Sequence, residues 1–176
     1  MRIKPIFVAL LSAGAVTFAH ADINVGVLVS ATGPAASLGI PEKNTFALMP
    51  TTIAGEKVKY IVLDDASDTT TAVKNTRKLL TEDKVDVIIG STITPNSLAM
   101  VDIAAEAETP MISMAASARI VDPVDAKRRW VFKTPQKDSD AILKIFQHMK
   151  KAGISKIGVL SSNTGFGGAG KAQLEK

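Results

Sequence analysis

Residues 57–90 read KVKYIVLDDASDTTTAVKNTRKLLTEDKVDVIIG, and their pattern decides the fold class. Alternation at the start gives way to the continuous apolar run Tyr60 to Leu63, as in a strand that passes into a core. Ser67 and Asp68 carry short oxygen-bearing side chains suited to capping a helix. Within residues 69–83, Ala72, Val73, Thr76, Leu79 and Leu80 then share one face. Residues 85–91, VDVIIGS, form a second short strand, apolar enough to be buried on both faces of a parallel sheet. Strand, helix and strand joined by short links predict a right-handed crossover unit.

Outward from that unit the alternation continues. Residues 23–30, INVGVLVS, are a β-branched run ended by the turn residues Thr32, Gly33 and Pro34. A short helix is predicted over residues 41–49, with Pro41 at its first position and Pro50 ending it. On the other side, Thr94 is placed as N-cap with Pro95 at the first helical position of NSLAMVDIAAEAE. PMISMAA (110–116) reads as a strand, followed by an irregular, charged stretch. Residues 122–129 of that stretch are the expected crossing between domains. A short strand over 130–134 follows, then a helix over 139–152 with Ile142, Ile145, Phe146 and Met149 on one side. KIGVLSS (156–162) reads as a further strand, and NTGFGGAG (163–170) as a glycine-rich loop. KAQLEK (171–176) looks like the first turns of a helix with no stop signal, which suggests a chain shortened relative to a longer relative. The expected class is α/β, a parallel sheet flanked by helices. Ligands of such sheets bind at the carboxyl ends of the strands, which directs attention to loops 30–39, 90–97, 114–118 and 161–170.

The first 21 residues are of another kind. Arg2 and Lys4 precede an apolar stretch from Ile6 to Ala19, with almost no polar residues and too short to span a bilayer, and Ala19-His20-Ala21 is a small-x-small site. The segment reads as a secretory signal peptide cleaved after Ala21, so the working chain begins at Asp22, outside the cytoplasm. The formal charge of the whole chain is +4, and two of its cations leave with that segment. Such a small surplus argues neither for nucleic acid nor for an anionic membrane surface as a partner, and none is expected. The absence of cysteine excludes disulfides, thiolate metal sites and cysteine nucleophiles.

Several motifs imitate chemistry. Gly165, Gly167 and Gly170 match GxGxxG, and Lys171 brings the loop near a P-loop, with Ala172 where a magnesium-binding hydroxyl belongs. The loop stands too far from its strand for a dinucleotide turn, and an exported protein meets little nucleotide. Asp64, Asp65 and Asp68 spell DDxxD, but a strand end followed by a helix cap sends the carboxylates apart. His148 is a lone helical histidine, with no serine or metal set to join. We therefore expect no enzyme activity, no catalytic residue, no metal and no cofactor.

A binding site is better supported. Thr94 and Pro95 open a helix directly off a buried strand, where unsatisfied N–H groups and positive potential suit a carboxylate. Ala115, Ala116 and Ser117 end the next strand with side chains small enough to let a ligand reach the backbone. Ser117 adds a hydroxyl, and the Ala115 carbonyl could accept from an ammonium. Thr94 and Ser117 could equally be simple caps.

The blocks INVGVLVSATGPAASLGIPEKN, YIVLDDASDTTTAVKNTRKLLTEDKVDVIIG, TPMISMAASA, RRWVFKT and NTGFGGAG resemble, in order, the periplasmic branched-chain amino-acid-binding proteins of ABC importers. That resemblance implies a type I bilobed fold, a small-molecule ligand (a branched-chain amino acid or related carboxylate), a permease at the inner membrane and a monomer. It implies ligand contacts at Thr94, Ala115, Ala116 and Ser117. Leu38 and Phe166 fall where relatives place aromatic residues. Leu38 is not aromatic and Phe166 lacks a hydroxyl, which departs from a leucine-type site. Residues 22–132 would form the N-terminal lobe and residues 133–176 the beginning of the second. An acidic residue facing a ligand amine would lie beyond Lys176. A sensory ligand-binding domain of the same fold is the alternative.

Overall fold

The computed structural model describes residues 22–176, so the segment read as a signal peptide and the cleavage expected after Ala21 lie outside the described residues. Six strands form one sheet: β1 (Ile23–Val29), β2 (Thr52–Ile53), β3 (Glu56–Asp64), β4 (Val87–Gly90), β5 (Met111–Ser113) and β6 (Val131–Lys133). Their order is β2-β3-β1-β4-β5-β6, and every pair is parallel except the β2–β3 hairpin. The chain therefore reverses direction across the sheet beside β1, between β3 and β4. Such a switch point opens a crevice at the carboxyl ends of the strands.

The helices are α1 (Ala36–Phe46), α2 (Thr69–Thr81), α3 (Thr94–Glu106), α4 (Asp138–Ala152) and α5 (Gly165–Leu174). One face of the sheet packs on α2 and α3, joining Leu28, Leu79, Ile88, Met100 and Met111, all fully buried. The other face gathers Val25, Val27 and Val29 under Phe46 of α1 and Tyr60. β1 thus supplies both cores, which explains its uninterrupted apolar run. No described helix is long and apolar enough to cross a membrane.

The structure departs from the expected elements at five places. Helix α1 starts at Ala36, not at Pro41, and carries Pro41 in its interior. The reason is tertiary: Gly39 lies against β1 so closely that a Cβ would stand 2.1 Å from the Ser30 carbonyl oxygen. Thr94 is not the N-cap. Ile93 occupies that position without a side-chain bond, and Thr94 and Pro95 begin the helix proper; proline fits either of the first positions because their N–H groups have no intrahelical acceptor. At α2, Asp68 alone caps, its Oδ1 accepting from Thr71 N at 2.7 Å, while the Ser67 hydroxyl turns to the Thr32 carbonyl. Residues 156–162 form no strand, since no neighbouring strand meets them among the described residues; Leu160 is fully exposed. Residues 165–170 are not a loop but the first turns of α5, capped by Thr164. The charged stretch after β5 also holds two short 3-10 turns, Ala118–Ile120 and Arg128–Trp130.

Candidate functional site

Three strand ends are tied together by one buried carboxylate. Asp65, fully buried just past β3, accepts from Ser30 Oγ at 2.7 Å, Ser91 Oγ at 2.6 Å and Ser67 N at 2.9 Å. A buried charge is tolerated only with such a complete set of donors. Its neighbour Asp64 accepts from the Thr32 hydroxyl at 2.7 Å and from the amides of Ala31, Thr32 and Ala66. Burial pushes the Asp64 carboxyl up, but the Thr32 hydroxyl and the three amides outweigh it and hold the group below the usual carboxylate range. These two aspartates brace the loops around the crevice. With Asp68 committed to its cap, the DDxxD motif is a structural brace, and among the described residues no group of three metal-ligating side chains converges.

A second relay braces β4 against β5. Ser97 Oγ accepts from Ser91 N and from Ser113 Oγ, at 3.1 and 2.8 Å, and donates to the Ser91 carbonyl. Ser113 Oγ in turn accepts from Ala115 N. The segment beyond is held from the other side: Lys133 Nζ donates to the Ala116 carbonyl at 2.7 Å, and Asp138 Oδ1 accepts from Ala118 N at 2.9 Å. Burial depresses the Lys133 ammonium below its usual range.

Above this framework lies an open cleft of about 490 Å³. Five of the six residues singled out from the sequence line it: Leu38, Thr94, Ala115, Ala116 and Phe166. Ser117 does not; it is fully buried, and its hydroxyl accepts from Arg119 N at the head of a 3-10 turn. The simple-cap reading therefore describes Ser117, whereas Thr94 makes no side-chain cap bond. Thr92, Ile93, Pro95 and Met114 complete the wall formed by the β4–α3 and β5 links, and Pro34, Ala35 and Ser67 form the facing rim. Phe166 and Thr164 enter from α5, whose Gly165 sits against Pro95. Every residue of the lining is uncharged. Ile93, Thr94 and Pro95 bring the N-terminus of α3 to this neutral cleft, where the first turn of a helix concentrates positive potential.

Of the other lining residues, Pro34, Ala35, Thr92, Ile93, Pro95, Met114 and Thr164 all fall in the four loops picked out by the strand ends, and Ser67 alone lies outside them. Lys133 and Asp138 carried no local signal, because their roles depend on contacts made across the sheet edge.

Residues 22–176 match the model of a family described as periplasmic binding protein. No curated protein matches the chain. Among solved structures, an extracellular ligand-binding receptor from Rhodopseudomonas palustris HaA2 is 46% identical, with a TM-score of 0.84, over 88% of this chain and 43% of that one. A solute-binding protein of an ABC transporter from Rhodopseudomonas palustris BisB5, in complex with 3,4-dihydroxybenzoic acid, is 30% identical with a TM-score of 0.79, again over 88% and 43%. The branched-chain amino acid transporter substrate-binding protein of Streptococcus pneumoniae, in complex with isoleucine, is 23% identical with a TM-score of 0.58 over 68% and 35%, a likeness of fold alone. The chain thus spans less than half the length of these structures. With the family model covering every described residue and the switch-point cleft in place, the chain belongs to the periplasmic binding protein family of ABC-transporter solute receptors, with the type I fold.

Proposed function

We propose that this chain carries the N-terminal half of the ligand site of an extracytoplasmic solute-binding protein serving an ABC importer, and that the ligand is a small carboxylate with an apolar body. The observation that carries the reading is the uncharged cleft with the first turn of α3 opening into it. Helix N–H groups would hold the carboxylate, while Leu38, Met114 and Phe166 would desolvate the body. Among candidate ligands, aromatic acids come before branched-chain amino acids, supported by the 30%-identical BisB5 relative bound to 3,4-dihydroxybenzoic acid.

In this reading residues 22–132 act as one lobe, and residues 133–176 begin the second. The protein works by capture and closure without chemistry, as a monomer that delivers its ligand to a permease at the inner membrane. Export through the segment ending at Ala21 belongs to the same proposal.

The test is a titration of the chain with 4-hydroxybenzoate and with leucine, followed by amide NMR shifts. We expect shifts at Thr92, Thr94, Ala115 and Ala116 with the aromatic acid and little response to leucine. Thr94→Ala should weaken binding about tenfold, the effect of one hydrogen bond to a charged group. Leucine binding with no response to 4-hydroxybenzoate would reverse the ligand assignment; binding unaffected by Thr94→Ala would remove that residue from the site.

A further inference from the structure

One acidic side chain stands behind the neutral wall of the cleft. Glu42 is half-buried on α1, and its Oε2 accepts from Thr92 Oγ1. Thr92 lines the cleft, and its hydroxyl oxygen also accepts from Ser30 N at 2.9 Å. A hydroxyl has a single proton. While that proton is directed to Glu42, Thr92 can offer the cleft no donor.

We propose that Glu42 and Thr92 form a proton-controlled donor switch: ionised Glu42 keeps the Thr92 proton turned away from the cleft, and protonated Glu42 releases it towards a bound carboxylate. The balance is simple. Glu42 takes one proton from solvent, its new O–H donates to Thr92 Oγ1, and Thr92 rotates its own O–H into the cleft. Ser30 N continues to donate to the same oxygen, so Thr92 ends with two donors received and one given, within the capacity of a hydroxyl. No covalent bond between heavy atoms changes.

The surroundings ease protonation of Glu42 relative to an ordinary glutamate. Burial pushes the Glu42 carboxyl up, the Thr92 hydrogen bond opposes this, and the negative charge of Asp65 adds to the rise. Asp65 is the charged group facing Glu42 from the end of β3. β1 and the β4–α3 link bring the non-titrating Ser30 and Thr92, and Lys43 beside it on α1 is exposed. A carboxylate entering the cleft would bring a third negative charge to this corner and drive proton uptake further.

The inference rests on the carboxylate reading of the cleft. Its test follows 4-hydroxybenzoate affinity from pH 8 to pH 5.5 in the wild-type chain and in Glu42→Gln, together with the Glu42 side-chain carbon shift in ligand-free wild type and Thr92→Val. We expect wild-type affinity to rise about tenfold as pH falls. Glu42→Gln, a neutral mimic of the protonated acid, should bind more tightly than wild type at pH 8, with a flat profile. In ligand-free protein Glu42 should titrate above an ordinary glutamate, and higher still in Thr92→Val, which lacks the donor that stabilises the ionised form. Binding with the same pH profile in wild type and Glu42→Gln, or a Glu42 titration unmoved by Thr92→Val, would overturn the switch and leave the carboxylate site standing. Failure of 4-hydroxybenzoate to shift any cleft amide would overturn the carboxylate reading, and the switch with it.

Discussion

Helices α3 and α4 are of similar length, yet α3 buries seven of its 13 residues and α4 buries none of its 15. Both are well-formed helices. α4 begins with Asp138 and Asp140, ends with Lys150 and Lys151, and stops at Gly153 in the left-handed conformation, so local signals and the helix dipole favour it throughout. Its apolar side nevertheless stays open, with Leu143, Ile145 and Phe146 exposed and Ile157, Val159 and Leu160 uncovered nearby. Local propensity and dipole matching are enough to specify a helix; burial is what makes one contribute to stability. The cleft-lining framework belongs to the region that has a core, and α5 reaches the cleft through Phe166 and the contact of Gly165 with Pro95, with Thr164 at its cap.

The largest test of that contrast compares paired truncations. Leu79→Ala, at a fully buried position between α2 and the sheet, should lower unfolding stability by about 2–5 kcal/mol. Ile145→Ala, half-exposed on α4, should change it by less than about 0.5 kcal/mol. Equal losses in urea melts would break the distinction.

A smaller effect is expected where backbone meets backbone. Gly39 faces the Ser30 carbonyl at 2.1 Å from a would-be Cβ, and Gly90, at φ +140, faces the Leu28 carbonyl at 2.2 Å. Alanine at either site should cost about 1–3 kcal/mol. Gly39→Ala should also disturb the Glu42–Thr92 pairing, because it displaces α1. Alanine at Gly168, with open space around it, is the control.

The smallest effect concerns acid. The Asp64 carboxyl titrates below its unfolded value, so its contribution to stability is present above about pH 4 and is lost as pH falls through the folded value. Asp64→Asn should therefore lower stability at pH 7 and flatten the acid limb of the melting profile. Glu42 carries the opposite sign. Its raised folded value disfavours folding as pH rises above the unfolded range, so Glu42→Gln should gain slightly at pH 8. A melt in which both substitutions leave the pH profile unchanged would remove electrostatics from the account.

How much could be read beforehand follows the same physical division. The parallel sheet was legible because β1 is a short run buried on both faces and the apolar half of β3 and β4 are runs at least partly buried, and α2 showed its face and its cap within a few residues. Thr94, Ala115 and Ala116 could be placed at the cleft because strand ends at a switch point are few. What was hidden depended on distant partners. The start of α1 is set by Gly39 against Ser30, and the bracing of Asp65 comes from Ser30 and Ser91, 35 and 26 residues away. Ser117 lies outside the cleft lining and caps a 3-10 turn, a role its sequence could not separate from lining because a small polar residue after a strand can do either with equal local fitness. Residues 156–162 have strand composition, but a strand requires a neighbour to complete its hydrogen bonds. α5 was concealed by its glycines, which argue against a helix until Thr164 supplies the cap.

Residue-resolved hydrogen exchange of the chain, with and without 4-hydroxybenzoate, tests the central claim most directly. The account predicts the slowest exchange in β1, β4 and α3, fast exchange in α4 and residues 154–162, and ligand-induced slowing confined to residues 92–97 and 114–117. Protection of α4 equal to that of α3, or ligand-induced slowing centred on α4, would contradict it.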